Sequence, residues 1–153
     1  MKFRKQAQAV YYTRYHLVFV TKYRRKLLKH GFGAYCIAVM RRVCDAYGDL
    51  QLLAANVDKD HVHLLMSIPP KWSISKAVNL LKSNSSKAMR AKFSHVRTVY
   101  GQKMAFWSDG YFVSTVGANE SMIKRYIEHQ GEEDKEELRA YGIAIINTIT
   151  ICI

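Results

Sequence analysis

Proline, cysteine and acidic side chains are all scarce in this chain. Its two prolines among 153 residues are adjacent, Pro69-Pro70, so no proline-rich linker divides it. The three cysteines, Cys36, Cys44 and Cys152, form no C-x-x-C pair. An odd count without such a pair argues against a disulfide framework and against a zinc knuckle. Cys36 and Cys44 fall in a helical pattern and are expected to be small core residues. Asp and Glu total 12 against 24 Lys and Arg, a formal net charge of +12. That imbalance favours an anionic partner, with nucleic acid first. No apolar signal core follows the basic start Met1-Lys2-Phe3-Arg4-Lys5. The apolar stretch Ile143 to Ile153 is interrupted by Asn147 and is too short to span a bilayer. A cytoplasmic protein with no membrane partner is the expectation.

Apolar residues make up 49% of the chain, enough for one packed domain over residues 1–153. No internal repeat or low-complexity tract breaks it. Tyr15 to Thr21 is a β-rich first strand. Helical spacing of Phe32, Tyr35, Val39, Val43 and Tyr47 predicts a helix within Lys29 to Tyr47, ended by Gly48-Asp49. Leu50 to Val57 reads as a second strand. Asp58-Lys59-Asp60 is a turn into a third, which carries His61 and His63 and stops at Pro69-Pro70. Ser73 can cap a helix from Ile74 to about Lys92. Tyr111 to Thr115 reads as a fourth strand. A last helix runs from near Asn119 through at least Gln130, and a helical pattern resumes over Glu132 to Arg139. The order β-α-β-β-α-β with an added C-terminal helix predicts an α+β, ferredoxin-like antiparallel sheet with two helices on one face. RNA-recognition domains share this order, so the fold alone does not assign a function.

The chemistry-bearing residues lie in two places. His61 and His63 are two apart on a strand, so both imidazoles project from one face while Val62 and Leu64 pack on the other. Two aligned imidazoles supply part of a metal site with open positions, although such a pair alone is more often two ordinary core or surface histidines. On the last helix, Tyr126 and Gln130 are four apart and share a face, with Ile123 and Ile127 holding the neighbouring face to the body. A helix tyrosine by itself is usually a packing residue.

The joint pattern is more specific. It comprises His16-Leu17-Val18-Phe19 with Thr21-Lys22-Tyr23-Arg24-Arg25 behind it, Asp60-His61-Val62-His63-Leu64-Leu65 and Leu81-Lys82-Ser83. Trp107-Ser108 then precedes Tyr111 to Gly117, and Tyr126-Ile127-Glu128-His129-Gln130 closes the series. These blocks, in this order, resemble the single-tyrosine HUH transposases of small bacterial and archaeal insertion sequences, the transposase-A type. REP-associated tyrosine transposases share much of the pattern. The resemblance covers about Tyr15 to Gln130. It implies cleavage and rejoining of single-stranded DNA at insertion-sequence ends. Tyr126 would be the nucleophile that becomes joined to a 5′-phosphate. His61, His63 and Gln130 would hold a divalent ion, Mg²⁺ or Mn²⁺. It further implies recognition of DNA hairpins at element ends, and a homodimer whose active sites are shared between subunits.

A single-strand binder combines cations with stacking surfaces. The candidate DNA contacts are Arg14, Lys22, Arg24, Arg25, Lys82, Lys87 and Arg90, with Tyr23, Trp72 and Trp107 as stacking groups. Arg24, Arg25 and Lys82 lead as a set. Two other readings fit parts of the sequence. A non-enzymatic single-stranded nucleic-acid-binding module of the same fold would have no use for Tyr126 or a metal. A domesticated REP-associated nickase would keep the chemistry and change its role. After Gln130 the chain turns acidic at Gly131 to Glu137. It then ends in a β-branched, apolar run unlike a polar family tail, an aggregation hazard where exposed.

Overall fold

The computed structural model describes residues 2–101, 104–117 and 120–129. A small hairpin comes first, β1 (Arg4–Gln6) and β2 (Ala9–Tyr11). Next come β3 (Arg14–Val20), a 3₁₀ turn over Lys22–Arg24, α1 (Phe32–Tyr47), β4 (Gln51–Val57) and β5 (His61–Ser67). Then follow α2 (Ile74–Lys92), α3 (Ser94–Tyr100), β6 (Phe112–Val116) and α4 (Glu120–His129). The main sheet has four strands in the order β4-β5-β3-β6, all neighbours antiparallel. This is the ferredoxin-like arrangement expected from the element order.

Each strand divides its side chains between two layers. Leu17 and Phe19 of β3 join Val62, Leu64 and Met66 of β5 in the main core. There they meet Cys36 and Met40 of α1 and Ala77, Val78 and Leu81 of α2. The spacing of those helix residues, three or four apart, is what lays one apolar stripe on the sheet. Cys36 and Cys44 are both buried, as expected of small core residues. The opposite sheet face carries a second, smaller cluster, in which Ile123 and Ile127 of α4 pack on Ala54, Leu65 and Val116. The sheet is therefore sandwiched, with α1 and α2 on one side and α4 on the other.

Local signals set most element ends. Ser73 Oγ accepts the Lys76 N–H at 3.1 Å and caps α2. Gly48, at φ 72°, ends α1 in the left-handed conformation, its N–H donating to the Cys44 carbonyl at 2.9 Å. The first helix begins at Phe32 rather than nearer Lys29, because Gly31 at φ 87° still belongs to the turn. The second and fourth strands each start one residue later than expected, at Gln51 and Phe112. The N-terminal hairpin, the 3₁₀ turn and α3 were not expected from the sequence. Gln130, the helical pattern over Glu132 to Arg139, and the tail to Ile153 lie outside the described residues. No described helix is long and apolar enough to cross a membrane.

Candidate active site

The two-residue period of β5 puts His61, His63 and Leu65 on the sheet face that α4 covers. His16 of β3 lies on the same face, because its strand neighbours Leu17 and Phe19 point into the main core. The register sets Val18 opposite His63 and His16 opposite Leu65, so the two imidazoles meet diagonally. Their nearly parallel rings are 5.2 Å apart, and His16 Nε2 and His63 Nδ1 are joined by a 2.9 Å hydrogen bond. Phe112 of β6 closes the other side of His16, edge-on at 5.9 Å. Burial pushes the His16 pKa down to about 4. His63 is also held well below its ordinary value, first by burial and then by the neighbouring His16 and His61. Both rings are accordingly neutral at pH 7, the form in which an imidazole offers a lone pair.

His61 is oriented by the turn before it. Its Nδ1 is 2.7 Å from Asp60 Oδ1, and Asp60 Oδ2 accepts from Arg24 Nε at 3.2 Å. Burial works to raise the Asp60 pKa, but the His61 hydrogen bond and the charges of His61 and Arg24 outweigh it and leave it lowered. Asp60 is thus an acceptor, and His61 Nδ1 is the donor. The Asp60 carbonyl accepts from the Thr21 N–H at 2.9 Å and from Thr21 Oγ1 at 3.1 Å. Tyr23 and Arg24, at φ 58° and 52°, take up left-handed backbone in the same segment. For non-glycine residues that costs about 1–2 kcal/mol each, so the turn is held by its contacts rather than by preference. Thr21-Lys22-Tyr23-Arg24-Arg25 therefore acts as a clasp on the residue preceding the histidine pair.

The donor set fits part of a divalent-ion site. His61 Nε2 is buried and takes no hydrogen bond from the described residues; Asp58 Oδ2 is 4.0 Å away. With Nδ1 of each ring hydrogen-bonded, a metal ion held by this pair would bind at Nε2 of each. No cluster of three His, Cys, Asp or Glu side chains forms among the described residues. Gln130 lies outside the described residues. Tyr126 belongs to the backbone of α4, on the helix that Ile123 and Ile127 fasten to the histidine face; its side chain is not described.

The proposed DNA contacts fall in different settings. Arg25 and Lys87 are exposed, and Lys22 lies 3.8 Å from Asp109. Arg24 is engaged with Asp60. Arg14 pairs with Glu120 at the start of α4 at 3.3 Å and stacks over Tyr12. Arg90 donates to the Gly101 carbonyl at 2.8 Å. Lys82 donates to the carbonyls of Ser108 at 2.7 Å and Gly110 at 2.6 Å, which ties the loop before β6 to α2. Of the stacking candidates, Tyr23 is 67% exposed, whereas Trp107 is 3% exposed and donates from Nε1 to Ser85 Oγ at 2.9 Å. Trp107 is a core residue, held there by its bridge to Thr21. Trp72 is half-buried and donates to Asp49 Oδ2 at 3.0 Å. The sequence reading assigned no role to His16, Asp60 or Thr21 at the site. The signal for His16 was a histidine in an otherwise apolar strand, in phase with Val18 and Val20.

The described residues thus form a ferredoxin-like sheet with a buried H-x-H pair on the face opposite its two main helices, covered there by α4. Residues 9–130 match the family model for IS200-like transposases, and the chain belongs to that family. It is 38% identical over 122 residues to the transposase of insertion sequence element IS200 from Salmonella typhimurium, covering 80% of this chain and 79% of that one. It is 30% identical over 138 residues to the ISDra2 transposase TnpA of Deinococcus radiodurans, covering 89% and 95%. A crystal structure of a Deinococcus radiodurans R1 protein assigned as a transposase superposes with TM-score 0.66 at 31% identity, over 83% of this chain and 98% of that one. A REP-associated tyrosine transposase bound to a REP hairpin has the same fold, with TM-score 0.53 at 15% identity over 92% and 76%. The protein is a transposase of the insertion-sequence type and acts in DNA transposition.

Proposed function

We propose that this transposase cuts and rejoins single-stranded DNA by tyrosine transesterification. Tyr126 is the nucleophile, and His61, His63 and Gln130 hold Mg²⁺ or Mn²⁺. The observation that supports this reading most is the packing of α4 by Ile123 and Ile127 across the sheet face that bears the buried histidine pair. The Tyr126 oxygen attacks the scissile phosphorus, and the bond to the 3′-oxygen breaks. The DNA 5′-phosphate is then joined to tyrosine and a 3′-hydroxyl is released. That hydroxyl later attacks a phosphotyrosine and restores the diester. One phosphate ester replaces another at each step, so no nucleotide cofactor is consumed. A bound divalent ion supplies Lewis-acid stabilisation of the charge on the phosphate.

The chain's own residues have definite tasks in this scheme. A tyrosine with a pKa of about 10 must lose its proton to attack. His63 is buried and held well below its ordinary pKa, so it can bind without first releasing a proton. Exposed cations such as Arg25 and Lys87 face solvent, where phosphates can approach. DNA hairpins at element ends are the proposed substrates, in keeping with the hairpin held by the REP-associated relative. A homodimer with active sites shared between subunits belongs to the same proposal.

The test is a denaturing gel. The protein is mixed with labelled single-stranded hairpins drawn from DNA flanking its gene, with Mn²⁺. The expected result is a heat-stable protein–DNA adduct, lost with EDTA and in His63→Ala. An adduct that forms fully in EDTA would overturn the metal assignment. Hairpin binding without an adduct would favour a binding module.

A further inference from the structure

A metal-ligating imidazole must present an unprotonated nitrogen, and the hydrogen bond at the other nitrogen decides which one that is. At His61 the choice is made by Asp60, an acceptor 2.7 Å from Nδ1. At His63 another imidazole takes that place. His63 Nδ1 meets His16 Nε2 at 2.9 Å, and both rings are buried. Only one hydrogen lies between those two nitrogens. If His63 donates it, His63 Nε2 keeps its lone pair and His16 carries its own hydrogen on Nδ1. If His16 donates it, His63 Nε2 is protonated and cannot ligate. His16 Nδ1 is buried and hydrogen-bonds to no described residue, so nothing described there opposes either arrangement.

We infer that His16 is a positioning residue that accepts the His63 Nδ1–H and thereby fixes His63 in its metal-ligating tautomer. The inference rests on the proposed metal role of His63 and deepens it. The neutral ring suits the task. His16 is buried between His63 and the edge-on Phe112, where an ionised acceptor would be costly to bury. The ring also limits rotation of the His63 imidazole, because the two lie at 17° to one another.

The test uses the full chain and two readouts. The first is Mn²⁺ affinity, from electron paramagnetic resonance titration of free Mn²⁺. His16→Phe keeps the ring and removes the acceptor; His16→Gln restores an acceptor near the Nε2 position. Loss of an outer-shell partner typically costs 10–100-fold in metal affinity. We expect about that loss in His16→Phe, recovery of most of it in His16→Gln, and abolition of the site in His63→Ala. The second readout is the His63 tautomer in wild type, from long-range ¹H–¹⁵N correlation spectra without metal, with hydrogen expected on Nδ1.

The outcomes separate the two claims. If His63→Ala abolishes Mn²⁺ binding while His16→Phe binds as wild type does, the positioning role is wrong and the metal site stands. If His63→Ala leaves Mn²⁺ binding unchanged, the metal reading fails and the inference falls with it. Should His16→Phe not fold, His16→Gln and the wild-type spectrum decide: hydrogen on His63 Nε2 would overturn the inference.

Discussion

Replacing Lys82 by methionine separates two roles that the sequence leaves joined. A lysine on the polar side of α2 reads naturally as a phosphate contact. In the structure its ammonium donates to the carbonyls of Ser108 and Gly110 at 2.7 and 2.6 Å, with the Asp109 carbonyl at 3.4 Å. It also lies over the rings of Phe19 and Tyr111, at 5.4 and 5.8 Å. Methionine preserves the stem and removes every donor. Two charge-assisted hydrogen bonds at about 1.5–3 kcal/mol each set the gross loss. The cost of burying the ammonium offsets a share of it, so a net destabilisation of about 1–3 kcal/mol is expected. At this chain length a loss of about 2 kcal/mol lowers Tm by roughly 4–8 °C.

Burial moves the Lys82 pKa down from 10.5 to about 8, against the opposing charge of Asp109. The native state thus holds this proton less tightly than the unfolded chain. Wild type should therefore gain on Lys82→Met as pH rises from about 8 toward 10.5. The assays are urea unfolding and the salt dependence of hairpin binding. A loop clamp predicts lower stability with an unchanged salt slope. A phosphate contact predicts a slope smaller by about one and unchanged stability, and that result would refute the clamp.

Two further expectations concern packing and chemistry. A Cβ on Gly33 would collide with Val57 Cγ1 and would meet the Leu28 carbonyl oxygen at 2.9 Å. Gly33→Ala should accordingly cost about 1–3 kcal/mol in urea unfolding, and an unchanged midpoint would mean that α1 can lift off β4 freely. Tyr126→Phe should lose strand cleavage while binding hairpins within about twofold of wild type, because only a hydroxyl is removed; loss of binding in a filter assay would give Tyr126 a structural role instead.

The sheet and its two main helices were legible because their signals are local and periodic. The alternation from His61 to Ser67 assigns faces, Ser73 and Gly48 mark helix ends, and Asp58-Lys59-Asp60 marks a turn. Short elements escaped. α3 carries Val96, Thr98 and Val99 in seven residues, a β-branched content that propensity scores against a helix. The left-handed Tyr23 and Arg24 have no glycine to announce them. Trp107 read as a stacking surface because an indole is apolar in every setting; its burial depends on the bridge to Thr21, 86 positions away in a pairing that no local pattern encodes. The histidine pair and its shared face were visible from spacing. Its supports were not. His16 reaches His63 through the diagonal register of β3 on β5, and Thr21 and Arg24 reach Asp60 across a long connection. Arg24 and Lys82 were read by their charge, which names a possible partner but not the carboxylate or carbonyls that actually take it.

The central claim is that α4 delivers Tyr126 to the phosphate. The most direct measurement is to digest the covalent protein–DNA adduct with nuclease and trypsin and locate the attached nucleotide by mass spectrometry. The account predicts a nucleotide joined through a 5′-phosphate on the peptide Tyr126 to Lys135, at its tyrosine. A nucleotide on another tyrosine, for instance the exposed Tyr23 beside the Arg24–Asp60–His61 chain, would contradict it.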